Sequence, residues 1–160
     1  MILIKNGKVY SNGRFQKRDL YVENGHFSHK GESDEVFDAE GRFIIPGFWD
    51  IHTHGAMCVD VNAADREGFE KISTFLASHG VTRWLCSILT DDEERTTAAI
   101  LRAREAIENP LPGAKLMGIH LEGPFLSPKF AGAMPPHLII EGNVALMERY
   151  VKASGNNIRM

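Results

Sequence analysis

The chain has 160 residues, 43% of them hydrophobic, and a formal net charge of −3 from 18 Lys and Arg against 21 Asp and Glu. That supplies a core of ordinary size, and with no basic stripe it argues against nucleic acid as a partner. Two cysteines, Cys58 and Cys86, both set in apolar sequence, form no disulfide framework and suit a reducing cytoplasm. The opening "MILIKNGKVY" has no apolar signal core, and no run approaches the ~20 residues of a membrane span. The expectation is a cytoplasmic protein without a membrane partner.

Residues 1–45 are rich in short β segments: "ILI", "KVY", "DLYVE", "HFSH" and "EVFDAEGRFII". Asn-Gly occurs at 6–7, 12–13 and 24–25. Both residues tolerate positive φ, so Asn-Gly between apolar runs signals a tight hairpin. The pattern predicts a small antiparallel β unit over 1–45, with Pro46-Gly47 as punctuation.

From residue 46 to 160 strands and helices alternate. "GFWDIHTH" reads as a strand. Residues 66–79 set Phe69, Ile72, Phe75 and Leu76 on one helical face, and Gly80 stands where a C-terminal cap belongs. "VTRWLCSILT" at 81–90 is the next strand. Residues 92–108 read as a helix closed by Asn109-Pro110, and "KLMGIHLEG" at 115–123 as a third strand. A Pro- and Gly-rich stretch covers 123–136. An amphipathic helix over 143–153 carries Val144, Leu146, Met147, Tyr150 and Val151, and "NNIRM" opens a fourth strand. Such alternation builds a parallel sheet. An open doubly wound sheet fits within this length, whereas a (β/α)8 barrel needs about 250 residues. The first strand ends in His-Thr-His rather than a Gly-rich phosphate loop, which argues against a nucleotide-binding open sheet.

Alternation in the first of these strands puts Phe48, Asp50, His52 and His54 on one face and Trp49, Ile51 and Thr53 on the other. In a barrel the second face meets helices. The first then carries a carboxylate and two imidazoles toward the C-terminal lip, where barrel active sites are built. Imidazoles at i and i+2 converge on one cation. In the third strand Gly118, His120 and Glu122 share a face, with Glu122 at the lip. His52, His54 and Glu122 thus make a His/His/carboxylate set suited to zinc, iron or a similar divalent ion. His120 lies one layer deeper and reads as a supporting or packing histidine. Asp50 reads as an orienting group. His26, His29, His79 and His137 read as surface residues.

"IIPGFWDIHTHG" resembles the first-strand signature of the amidohydrolase superfamily. "GIHLEGPFLSPKFAGAMPP" resembles a narrower group, the N-acetylglucosamine-6-phosphate deacetylases. The resemblance covers the whole chain but only the first part of the family's length. It implies a β-sandwich portion over 1–45 and the first three to four βα units of a TIM-type barrel over 46–160, in an α/β fold. It implies one or two divalent ions, zinc before iron, with His52, His54 and Glu122 as ligands. It places Gly132, Ala133 and Met134 where the family contacts the sugar. Many members have histidine at the position of Met134, so this chain lacks one hydrogen-bonding group there.

The implied reaction is hydrolysis of N-acetylglucosamine 6-phosphate to glucosamine 6-phosphate and acetate, by a homodimer at full length. The family's proton-handling aspartate, two further histidine ligands and phosphate-holding groups match nothing here. No catalytic residue is therefore assigned in the chain, and the 160 residues alone are expected to be inactive. The competing readings are a cyclic-amide or dihydroorotase-type amidohydrolase, against which the loop "EGPFLSPKFAGAM" argues, and a truncated, inactive chain.

Overall fold

The computed structural model describes residues 1–160. They form two compact units, Met1–Pro46 and Gly47–Met160.

In the first unit, β1 (Ile2–Ser11), β2 (Arg14–Glu23) and β3 (His26–Ser28) run as an antiparallel meander. Asn12-Gly13 and Asn24-Gly25 join them as two-residue turns, all four residues at positive φ. That conformation matches the strand twist, which is why Asn-Gly is favoured there. The expected all-antiparallel unit is nevertheless mixed. β4 (Glu35–Asp38) and β5 (Phe43–Ile44) both lie parallel to β1, in a sheet ordered β3-β2-β1-β4 with β5 also on β1. Residues 29–34 carry the chain from one edge of the sheet to the other. The Met1 ammonium fixes their end by a 2.7 Å contact with the Asp34 carboxylate.

Asn6-Gly7 is not a hairpin. It lies inside β1, where the register slips between Ile4 and Gly7, and Asn6 takes φ +59°. The Asn6 N–H donates to Asp19 (3.0 Å) and its amide donates to both oxygens of Asp38 (3.0 and 3.1 Å). The bulge is held by side chains on two neighbouring strands.

In the second unit, β6 (Phe48–Thr53), β9 (Val81–Leu89) and β10 (Lys115–Glu122) form a parallel sheet in the order β10-β9-β6. A short hairpin of β7 (Gly55–Ala56) and β8 (Val59–Asp60) follows β6. The helices are α1 (Arg66–Ser78), α2 (Glu93–Glu108) and α3 (Val144–Ala153), within a residue of the spans read from the sequence. Asp65, Asp92 and Asn143 cap their N-termini by accepting from the N–H three residues on. Gly80, at φ +82°, ends α1 as expected. Asn157–Met160 run beside β10, with Ile158 parallel to Ile119 and the Arg159 N–H donating to the Ile119 carbonyl at 2.8 Å.

Phe69, Ile72 and Leu76 of α1, Trp84, Cys86 and Ile88 of β9, Ile100 and Ala103 of α2, and Leu146 and Tyr150 of α3 build one core. Each large apolar side chain buried there is worth roughly 1.5–3 kcal/mol. β9 is the central strand and reads as a continuous apolar run for that reason. Cys86 is buried in this core, and burial pushes its thiol up to about 12. Cys58, in contrast to the apolar setting expected for it, is exposed.

Trp49 and Ile51 are both 51% exposed on β6, the edge strand of this three-stranded sheet, while α1 and α2 pack on β9 and β10. No helix is long and apolar enough to cross a membrane.

Candidate metal centre

The C-terminal ends of β6, β9 and β10 lie side by side, and parallel pairing brings their end residues into one cluster. His120 is level with Ser87, and Glu122 with Leu89. His52 and His54 flank Thr53, which is level with Cys86. The cluster contains His52, His54 and Glu122, whose donor atoms all lie within 4.8 Å of one another. Two imidazoles two residues apart meet a carboxylate from two strands away.

His54 is held at its far nitrogen. Nδ1 lies 2.9 Å from the Ser87 carbonyl. A carbonyl only accepts, so Nδ1 carries the hydrogen, and in the neutral ring Nε2 presents a lone pair. That lone pair faces Glu122 Oε2 at 3.0 Å, with His52 Nε2 3.8 Å from the same oxygen. The 3.0 Å approach has the length of an ion pair, yet Oε2 is buried and receives no hydrogen bond. With the hydrogen on Nδ1, a neutral His54 turns its Nε2 lone pair to the carboxylate oxygen, and acceptor faces acceptor. A cation among these atoms relieves that repulsion. Tetrahedral ligands at about 2.0–2.1 Å stand roughly 3.3 Å apart; the two imidazole–carboxylate separations bracket that value, and the widest donor separation is 4.8 Å or less. The donor set fits a divalent ion with nitrogen and oxygen preference, and the half-exposed His52 leaves one side open to solvent.

Glu122 is set at the chain level. The Thr90 hydroxyl donates to its carbonyl at 2.7 Å. Gly123 follows at φ +95°, a conformation reserved for glycine, and a Cβ there would collide with Thr90 Oγ1. After Pro124 the chain runs out through the 3-10 turns Pro128–Phe130 and Pro136–Leu138. It returns so that the Ile140 N–H donates to the Pro124 carbonyl at 3.1 Å. Gly132 and Ala133 are exposed in this closed loop and Met134 is half-buried, its N–H donating to the Ala131 carbonyl. The loop is rooted two residues from Glu122, and its three sugar-contact candidates lie together on it.

Asp50 touches the backbone of His52, a residue it is expected to orient. The β6 register slips between Asp50 and Thr53, and Asp50 Oδ1 accepts from the His52 N–H at 3.0 Å. The carboxylate holds the kinked backbone and is not one of the converging donors. His120 supports His52: the two Nδ1 atoms lie 3.2 Å apart. Burial, and then the neighbouring His52, hold the His120 pKa below the ordinary imidazole range, while the Ile51 carbonyl and Glu122 oppose. His26, His29, His79 and His137 are exposed, as expected.

Two supporting residues carry no sequence signal. Ser87 sits in an apolar strand and is fully buried. Asn62 pairs its amide with both backbone groups of Leu89 (2.9 and 3.0 Å), while Arg102 grips the Asn62 and Ala64 carbonyls. Together they fix the loop that follows the histidines.

No protein-family model matches the chain. It is 36% identical over 131 residues to the N-acetylglucosamine-6-phosphate deacetylase of Bacillus subtilis, covering 80% of this chain and 33% of the relative. It is 30% identical over 125 residues to the N-acetylgalactosamine-6-phosphate deacetylase of Escherichia coli O157:H7, covering 78% of this chain and 33% of that one. A solved structure of a mutant N-acetyl-D-glucosamine-6-phosphate deacetylase from Mycobacterium smegmatis, in complex with N-acetyl-D-glucosamine-6-phosphate, matches the fold with a TM-score of 0.85 at 22% identity. That match covers 99% of this chain and 42% of the other. The chain thus spans about a third of the length of the curated relatives it matches. By sequence the chain is similar to one part of the N-acetylglucosamine-6-phosphate deacetylases, and its fold matches the corresponding part of a solved one.

Proposed function

We propose that the protein, at the full length of its relatives, hydrolyses the acetamide of N-acetylglucosamine 6-phosphate to glucosamine 6-phosphate and acetate. The observation that carries this reading is the convergence of His52, His54 and Glu122 on one point, with lone pairs facing one another. Relatives named as deacetylases of N-acetylglucosamine 6-phosphate and N-acetylgalactosamine 6-phosphate support the substrate class, a phosphorylated N-acetyl amino sugar.

In this reading the second unit is the first part of a (β/α)8 barrel, and residues 1–45 are a portion of a β-sandwich. His54, fixed by the Ser87 carbonyl, and His52 would hold a divalent ion, zinc before iron, from β6, and Glu122 would hold it from β10. Such an ion would supply a nucleophile from water at neutral pH and polarise the amide carbonyl. Glu122 also lowers the charge of the centre. Gly132 and Ala133 bring backbone groups toward the sugar, and Met134 offers an apolar contact. The complete protein works as a cytoplasmic homodimer.

The experiment is a turnover assay of the full-length protein on N-acetylglucosamine 6-phosphate, N-acetylgalactosamine 6-phosphate and a cyclic amide such as hydantoin. Acetate release from the glucosamine derivative is the expected result. Preference for the galactosamine epimer would move the substrate and keep the chemistry. Ring opening of the cyclic amide without deacetylation would sink the proposal. Residues 1–160 assayed alone with added zinc should show no turnover.

A further inference from the structure

Ser87 touches both histidines of the centre, and it does so with two different groups. Its carbonyl accepts from His54 Nδ1 at 2.9 Å. Its hydroxyl accepts from the Thr53 N–H at 3.1 Å and lies 3.4 Å from His52 Nδ1 and 3.2 Å from His120 Nδ1. The residue is fully buried, on the central strand between the two strands that carry the donors.

We propose that Ser87 is a positioning residue that sets which ring nitrogen of His52 and of His54 carries the hydrogen, turning both Nε2 lone pairs toward Glu122. This rests on the reading of His52, His54 and Glu122 as metal ligands. A hydroxyl has one hydrogen to give and two lone pairs. Thr53 occupies one lone pair. When the hydrogen goes to His120 Nδ1, the second lone pair faces His52 Nδ1, which must then carry a hydrogen of its own. His52 Nε2 is left free, 3.8 Å from Glu122 Oε2. The carbonyl imposes the same tautomer on His54 without help from any side chain. Outer partners of this kind orient metal-bound imidazoles, and losing one typically weakens metal binding about 10–100-fold.

Ser87→Ala tests this, because it removes the hydroxyl and keeps the carbonyl and the volume. Two quantities are read in the protein: zinc affinity by competition with a chromophoric chelator, and ring nitrogen shifts of His52 and His54 by two-bond proton–nitrogen correlation without metal. The expected result is zinc binding weakened about tenfold or more, a mixture of tautomers at His52, and an unchanged His54. An unchanged His52 ring in Ser87→Ala overturns the proposal, whatever the zinc affinity. A wild-type protein that binds no zinc sinks the ligand reading instead, and the metal-free His52 spectra still decide the role of Ser87.

Discussion

Glu122 Oε2 lies 3.0 Å from His54 Nε2 and receives no hydrogen bond from it. The pair is arranged for a third body, and Glu122→Gln separates its two consequences. The amide keeps the shape, removes the charge and can donate to the His54 lone pair. Without metal the variant should be as stable as the wild type or more so, by about 1 kcal/mol, the net worth of one hydrogen bond. Zinc binding should fall at least 10-fold, because losing even an outer partner of a ligand costs about 10–100-fold. Chemical denaturation and chelator competition read the two effects. A variant that loses stability and keeps its zinc affinity would assign Glu122 a structural role.

Gly123→Ala should be costly out of proportion to its size. The position has φ +95° and a Cβ there would meet the Thr90 hydroxyl, the group that holds the Glu122 carbonyl. Strain of this kind and the displaced neighbour together cost about 2–4 kcal/mol. Thermal unfolding should drop by several degrees, and zinc affinity should fall with it because Glu122 is displaced. Gly132→Ala, at an open position with nothing near its Cβ, is the control, with φ strain alone.

Met57 and Cys58 should improve on replacement. They form the two-residue turn between β7 and β8, at φ +55° and +60°. Residues with side chains take this left-handed conformation at a cost of roughly 1 kcal/mol or more each, and the turn favours Asn-Gly. Met57→Asn with Cys58→Gly should raise stability by about 1 kcal/mol, seen as a higher midpoint in denaturant. A loss would mean that the exposed Met57 and Cys58 side chains carry contacts or strain relief of their own.

Asp38 gives the first unit an acid-sensitive tie. The Glu40 N–H and the Asn6 amide hold its carboxyl below the usual value of 3.8, with Lys5 contributing less. A carboxyl lowered on folding stabilises above its unfolded pKa, and that stability is lost as pH falls through the lower folded value. Asp38→Asn should therefore weaken the first unit at neutral pH and flatten its stability profile below pH about 4. Amide exchange at Asn6 and Glu40 across pH reads this locally. A profile unchanged by the substitution would remove the tie.

These sites also show what a sequence can and cannot declare. His52, His54 and Glu122 were legible because alternation along a strand and the C-terminal lip of a parallel sheet restrict where such side chains point. Alternation alone does not give the partner of Asp50, whose carboxylate accepts from the His52 N–H beside a slip of register in β6. Asn6-Gly7 encodes positive φ, which serves a bulge as well as a turn. Ser87 gave no signal at all. Its work depends on lying between β6 and β10, a lateral relation that no local pattern records.

The measurement that tests the centre most directly is zinc-edge X-ray absorption on the zinc-loaded protein. The account expects a first shell of nitrogen and oxygen at about 2.0–2.1 Å with scattering from at least two imidazoles, and loss of one imidazole in His54→Ala. A sulfur shell near ~2.3 Å, or a spectrum that His54→Ala leaves unchanged, would place the ion elsewhere and contradict it.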